Sequence, residues 1–182
     1  MDEATGTTSK GLGAILWDGA YCAAAALQCP DLIVKSLHQG RQTQIIPMEL
    51  LAAAGLLLTF QKEVAGRDII FWIDNQSVLG ALTKGSSSSH GIHCYTTGWH
   101  AMATFIRCRI WLEWVPSHAN PADELSRAGT TPYQLHNQEV LPLELPRWAD
   151  RSQYNNLEEI LTLIPDKWRA EDNRDPNTRA SA

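Results

Sequence analysis

The sequence is poor in the features that mark secreted, membrane-spanning and zinc-thiolate proteins. Its four cysteines form no C-x-x-C pair, which favours free thiols in a reducing compartment over disulfides or zinc ligands. No apolar run approaches the length of a membrane span, and no signal peptide is visible. We therefore expect an intracellular protein that is not secreted and has no membrane partner.

Basic residues are also scarce, since 15 Lys and Arg stand against 20 Asp and Glu, a formal net charge of −5. This balance argues against a free-standing nucleic-acid binder, which would present a basic surface. This argument from net charge is weaker if several of the acids hold metal ions, because bound cations reverse the local electric field. What the 182 residues do provide is an apolar share of 44%, enough for a sizeable core without disulfides.

Apolar runs and turn residues predict an α/β domain over residues 1–129. Pro47 suits the first turn of a helix, and Asp18-Gly19 is a hairpin dipeptide. The run DIIFWID is typical of a central strand covered on both faces. In chain order the expected elements are a hairpin (13–27), a third strand (31–37), an apolar helix (48–64), a strand (68–74), helices over 76–84 and 92–108, a strand (109–115) and a helix at ADELSRA (122–128).

Composition changes after Gly129, where prolines interrupt any long element. Residues 130–182 are expected to form a Pro-rich extension with one short helix, NLEEILTLI, and a disordered end. Trp148 and Trp168 are interpreted as docking this extension onto the domain. At the other end the sequence opens at Met1-Asp2 without a lead-in, so we expect a first strand truncated at its N-terminus and a piece of a longer polypeptide.

Four acids stand at positions that stability alone would not favour: Asp2 in the expected first strand, Glu49 at the start of an apolar helix, Asp74 at a strand end and Asp123 at a helix start. Singly, each could serve a helix dipole or a turn. Together they would meet where an α/β sheet forms its ligand crevice. Converging carboxylates repel one another unless cations lie between them, and oxygen ligands suit Mg²⁺ or Mn²⁺. Two such ions can activate water for phosphodiester cleavage.

Three blocks resemble the ribonuclease H domains of reverse-transcribing elements. PMELLAA (47–53) is similar to the family helix with a metal-binding glutamate, and IIFWIDNQSVLGAL (69–82) to its central strand ending in an aspartate. LEWVPSHANPADELSR (112–127) is similar to the last strand, histidine loop and final helix. GLGAIL (11–16) resembles the second strand, which makes Asp2 the first acid. The resemblance implies a five-stranded mixed sheet flanked by helices, and an upstream reverse transcriptase domain in the same polyprotein.

The same resemblance implies metal-dependent endonucleolytic hydrolysis of the RNA strand of an RNA–DNA hybrid. Asp2, Glu49, Asp74 and Asp123 would hold two Mg²⁺ ions, with Mn²⁺ as the alternative metal, and His118 would move a proton or help product leave. Polar neighbours of Asp74 are candidates for contacts to RNA 2′-hydroxyls: Asn75, Gln76 and Ser77. For Asn75 a role as helix N-cap is equally open.

Other classes of protein remain to be weighed against this one. A catalytically degenerate connection domain would keep the fold for structural or partner contacts. A proofreading exonuclease would want Asp-x-Glu in its first strand, where Ala4 stands instead of the second acid. An integrase-type enzyme would show a late glutamate, and Glu124 should face away from Asp123 because consecutive helix residues do not share a face. The strand tryptophans are expected in the core or on a sheet face: Trp72, Trp111 and Trp114.

Overall fold

Strands and helices form a mixed α/β fold in the part of the chain that the computed structural model describes, residues 11–19, 21–37, 45–127 and 140–149. The predicted fold class is confirmed at this level. The strands are β1 (Gly11–Asp18), β2 (Tyr21–Gln28), β3 (Asp68–Ile73), β4 (Arg109–Trp114) and β5 (Val140–Pro142). The helices are α1 (Asp31–Leu37), α2 (Ile45–Thr59), α3 (Gln61–Val64), α4 (Gln76–Lys84), α5 (His90–Ile106) and α6 (Ala122–Arg127), with 3₁₀ turns at Ser117–Ala119 and Arg147–Ala149.

The predicted hairpin is confirmed. β1 and β2 pair antiparallel from Gly11 opposite Gln28 to Asp18 opposite Tyr21. Gly19 supplies the positive φ of 58° that the tight turn requires. The other edge of β2 pairs in parallel with β5, which comes from the segment expected to be an irregular extension.

A second sheet consists of β3 and β4, which pair in parallel from Asp68 opposite Arg109 to Ile73 opposite Trp114. The Val115 N–H donates to the Ile73 carbonyl at 3.0 Å and continues the pairing past the last strand residues. The described strands thus form one three-stranded and one two-stranded sheet. The strand expected around Asp2 lies outside the described residues.

The core is built around α2, which is apolar on nearly every side, as predicted. Leu50, Leu51 and Leu57 on this helix are at most 1% exposed. α5 packs beside α2, and its Trp99 meets Phe71 of β3 edge-on, with ring centroids 5.8 Å apart. These contacts join the helices and both sheets into one hydrophobic core.

Residues 31–37 form helix α1, so the prediction of a third strand is wrong. Val34 and Leu37 are buried at helical spacing while Leu32 is 62% exposed, the pattern of one apolar face. The Val34 N–H donates to the Pro30 carbonyl at 3.0 Å, and Asp31 lies in the first turn, where its charge favours the helix dipole. Helical spacing and this start therefore outweigh the local β-propensity of Ile33-Val34.

The prediction that β3 is covered on both faces is also wrong. Phe71 and Ile73 are buried, but Ile70 and Trp72 are 59% and 58% exposed. On β4, Trp111 lies beside Ile70 and is 68% exposed. Trp72 and Trp111 are therefore on an exposed sheet face and not in the core, because described helices pack only the Phe71–Ile73 side of this two-stranded sheet, the side on which Trp114 lies opposite Ile73.

Glycine lets α6 approach β1 closely. A Cβ on Gly13 would lie 2.7 Å from the Ala122 carbonyl oxygen and from the Leu125 Cβ, closer than real side chains come. Leu12, the neighbour of Gly13, points into the main core on the other side of the strand. The GLG sequence therefore serves a helix–strand contact, and it is this contact that positions α6.

The four cysteines are free thiols and three of them are buried, as expected. The expected docking of the extension is confirmed for Trp148, which is 3% exposed and packs on Gly98 of α5. The Tyr95 hydroxyl donates to the Ala149 carbonyl at 3.2 Å beside it. Trp168 and the helix expected near residues 156–164 lie outside the described residues. None of the helices in the described ranges is long and apolar enough to cross a membrane.

Candidate functional site

Glu49 lies inside α2 and not at its start. The helix begins four residues before it, at Ile45, so the first turn contains no acidic residue. Favourable interaction with the helix dipole, which falls off within the first turn, therefore does not explain this carboxylate. Glu49 is partly buried, between the buried Met48 and Leu50.

Asp74 follows β3 directly and precedes α4. Asn75 caps that helix, because its Oδ1 accepts from the Ser77 N–H at 3.0 Å and from the Val78 N–H at 3.2 Å. The N-cap role left open for Asn75 is thus observed. The cap turns the chain sharply after the strand and leaves Asp74 at the sheet edge, only partly exposed.

The carboxyl groups of Glu49 and Asp74 lie within hydrogen-bonding reach of each other. Burial first, and then the charge of Asp74 and a hydrogen bond with it, raise the pKa of Glu49 to about 7. A hydrogen bond from the Asn75 side chain opposes this rise, and the charge of Asp123 adds to it. Carboxylates from α2, β3 and α6 therefore share one electrostatic environment.

Asp123 lies in the first turn of α6. Asn120 starts this helix, since its Oδ1 accepts from the Ala122 N–H at 3.1 Å and its carbonyl accepts from the Asp123 N–H at 3.1 Å. One helical turn later, Arg127 Nη2 lies 3.0 Å from Asp123 Oδ2. Glu124 is exposed beside it, in keeping with its expected outward direction.

His118 is exposed on the 3₁₀ turn that joins β4 to α6. The Ala119 N–H donates to the Pro116 carbonyl at 2.8 Å and closes this turn. His118 is therefore on the same connection that leads to Asp123. Asp2, the remaining acid of the predicted set, lies outside the described residues, whereas Gln76 and Ser77 are exposed at the start of α4.

Two neighbours of the acids were not assigned to the site from the sequence. Arg127 pairs with Asp123, and the indole Nε1 of Trp114 donates to the Asp74 carbonyl at 3.2 Å. The i, i+4 spacing of Asp123 and Arg127 is a signal for the first contact. For the second, parallel strands in register would place Trp114, the last residue of β4, beside the end of β3.

The donor set consists of carboxylate oxygens, which are suitable ligands for Mg²⁺ or Mn²⁺ and not for a thiolate-bound metal. Glu49 and Asp74 lie close enough to share an ion. Among the described residues, however, no three His, Cys, Asp or Glu side chains are arranged as a complete metal-binding group. Asp123 contributes charge to the pair while its carboxylate is engaged by Arg127.

Comparisons of the chain with protein-family models, with curated proteins and with solved structures returned no match.

Proposed function

We propose that the chain is a metal-dependent nuclease that hydrolyses the RNA strand of RNA–DNA hybrids. One observation supports this most: Glu49 of α2 and Asp74, the residue after β3, lie within hydrogen-bonding reach of each other, and Asp123 adds its charge to theirs. Crowding acids in a partly buried place is unfavourable in the absence of a cation. A function that requires divalent metal gives this arrangement a physical reason.

Each residue then has a role. Glu49, Asp74 and Asp123 would bind the metal ions and thereby orient the scissile phosphate, with Asp2 as a fourth ligand. When bound, two Mg²⁺ ions supply an activated water and stabilise the leaving oxygen. The exposed His118 can move a proton on the side of Asp123. Gln76 and Ser77 present donors and acceptors beside Asp74 for RNA 2′-hydroxyls, whereas the Asn75 side chain is engaged by the α4 cap and by Glu49.

The proposal also requires the five-stranded mixed sheet that the resemblance implies, which is more specific than the α/β class. Within the described residues β1 pairs only with β2, and β3 only with β4, so one edge of β1 and one of β3 lack a strand partner. A strand that contained Asp2 and paired with both edges would join the sheets and bring Asp2 to the end where Asp74 lies. β5 would then be an addition to this core.

A catalytically degenerate domain is the second candidate, and two observations favour it. Arg127 neutralises Asp123, and the described residues hold no complete metal-binding group. In such a domain the acids would persist without metal, and the fold would serve contacts with a partner such as an upstream reverse transcriptase domain.

Cleavage of a labelled RNA–DNA hybrid with and without Mg²⁺ separates the two candidates. We expect the parent chain to cut the RNA strand only with Mg²⁺ and to leave 5′-phosphate and 3′-hydroxyl ends. Asp74→Asn should reduce the rate by about two orders of magnitude or more, because it removes a charged ligand from the site.

Asp68→Asn is the matched control, since Asp68 lies at the opposite end of the same strand and is exposed beside Arg109. It should cut as the parent does. Equal cutting by Asp74→Asn and the parent would refute the site, and a parent that binds hybrid without cutting it would favour the degenerate domain.

A further inference from the structure

A groove of about 470 Å³ opens beside Asp74, between α4 and the end of β4. Six residues line it: Gln76, Leu79, Gly80, Thr83, Lys84 and Trp114. Trp114 is 45% exposed, and its indole nitrogen is bonded to the Asp74 carbonyl. The groove therefore begins at the backbone of one of the candidate metal ligands.

The groove follows α4 along its full length. Its lining residues on this helix recur at spacings of three and four, so they share one face, whereas Val78, Ala81 and Leu82 on the other face are buried. From Gln76 to Lys84 the helix rises about 12 Å, at 1.5 Å per residue.

Gly80 is the residue on this face of α4 whose identity is least expected from helix propensity. It lies in the interior of α4, where glycine is a poor helix former. A Cβ at this position would meet no atom within 4 Å, so close packing does not require glycine either. What its missing side chain provides is space in the floor of the groove.

The charge of the groove matches a phosphate backbone. Lys84 is exposed at the end farthest from Asp74, and no ion pair to an acid occupies it in the described ranges. Its ammonium also offsets the partial negative charge of the α4 C-terminus. Leu79, Gly80 and Trp114 offer an apolar surface for a sugar ring, and Gln76 and Thr83 offer hydrogen-bonding groups.

We propose that this groove binds a short stretch of the sugar–phosphate backbone of the RNA strand on one side of the cleaved phosphate. The assignment rests on the proposed hydrolysis, because the strand that enters the groove is the one whose phosphate lies at Asp74. Lys84 contacts a phosphate, and Trp114 packs against a sugar.

Hybrid binding measured with Ca²⁺ in place of Mg²⁺ tests the role of Lys84 apart from cleavage. Lys84→Gln should raise the Kd about three- to tenfold at low salt and reduce the slope of log K against log salt by about 0.7 to 0.9, the loss of one phosphate contact. Lys62→Gln, the same change at an exposed position on α3, should alter neither value. Equal effects of the two variants would overturn the assignment.

A pair of substitutions at one position tests the space in the groove. Gly80→Gln should raise the Kd three- to tenfold with an unchanged salt slope, because the longer side chain fills the floor without removing charge. Gly80→Ala should raise the Kd less than Gly80→Gln does while raising the Tm, because alanine favours the helix and its methyl group occupies less of the groove. Unchanged binding by Gly80→Gln would show that no strand lies there.

Truncated hybrids identify the strand. Two hybrids are made in which the RNA ends at the cleaved phosphate, one lacking the RNA on the 5′ side of it and one lacking the RNA on the 3′ side. In one of the two, Lys84→Gln should no longer raise the Kd. The same truncation of the DNA strand should leave the effect of Lys84→Gln on the Kd unchanged. An effect that disappears only when the DNA is shortened would overturn the RNA assignment. A parent chain that binds no hybrid overturns both this groove and the proposed function, and a parent that binds without cutting refutes only the latter.

Discussion

At the scale of single residues, Glu49 is placed against the preference of an ionised carboxylate for water. It interrupts the apolar surface of α2, lies within hydrogen-bonding reach of a second acid and is outside the helix turn where a negative charge would be favourable. Its pKa is raised to about 7 because burial and the neighbouring negative charges destabilise the ionised form relative to the protonated form. A free carboxylate is stable here only when a cation or proton joins it.

Metal-free stability should therefore fall as the pH rises through the range in which Glu49 ionises. The folded pKa of about 7 lies above the usual 4.5, so between these values the folded chain binds more protons than the unfolded one. Stability then decreases with rising pH, by an amount on the order of 3 kcal/mol for a shift of this size. Glu49→Gln should remove that decrease and make the protein more stable than the parent at pH 8 in EDTA.

Urea unfolding at pH 5 and pH 8 measures this difference, with Glu63→Gln on the neighbouring helix α3 as the control that retains the pH dependence. Adding Mg²⁺ should restore stability to the parent at pH 8 and have little effect on Glu49→Gln. A parent whose stability is the same at both pH values would show that Glu49 is not crowded by acids.

At the scale of elements, the contact between β1 and α6 determines where Asp123 lies. Gly13 permits the helix backbone to rest on the strand, and Asn120 sets the residue at which that helix begins. A shift of α6 outward would carry Asp123 away from Glu49 and Asp74. Packing on one side of the sheet thus controls the site at its end.

Gly13→Ala should destabilise the protein by about 1–3 kcal/mol, because the added methyl group overlaps Ala122 and Leu125 and forces the helix to move. Hybrid cleavage should decline with it. Gly80→Ala is the contrasting control, since its methyl group meets open space and alanine stabilises the helix by up to about 1 kcal/mol. Chemical denaturation of both variants checks the prediction, and a Gly13→Ala protein as stable as the parent would contradict the close approach.

Elements with a local signal were predictable from the sequence. The hairpin with its turn glycine Gly19, the apolar α2 and the Asn75 cap each depend on residues adjacent in the chain, although Asp18, expected in the turn, is the last residue of β1 and pairs with Tyr21. The short apolar segment at residues 31–37 was misassigned, because runs of this length do not distinguish a strand from a helix. β5 was missed since its three residues include a proline and its pairing with β2 comes from distant sequence.

The exposed face of β3 was missed for a related reason. Ile70 and Trp72 look like core residues in the sequence, and only the arrangement of the neighbouring helices leaves them uncovered. The sequence was sufficient to select the acids of the candidate site. The proximity of Glu49 to Asp74 and the ion pair at Asp123 depend on three-dimensional packing and could not be predicted.

At the scale of the whole molecule, the net charge bears on how tightly the chain can bind a nucleic acid at the candidate site. A net charge of −5 leaves few cations to contact a phosphate backbone, and phosphate contacts dominate affinity for nucleic acid. We therefore propose that most of the affinity for hybrid comes from an upstream reverse transcriptase domain in the same polyprotein. This chain would contribute the acids, the metal they bind and a short stretch of strand contact along α4.

Mn²⁺ titration followed by NMR tests most directly whether carboxylates from three separate elements share a cation. Substoichiometric Mn²⁺ should broaden the amide signals around Glu49, Asp74 and Asp123 together, leave those around Asp68 sharp, and lose this selectivity in Asp74→Asn. Broadening spread over the exposed acids in general, or an identical pattern in the parent and the variant, would contradict a shared metal site.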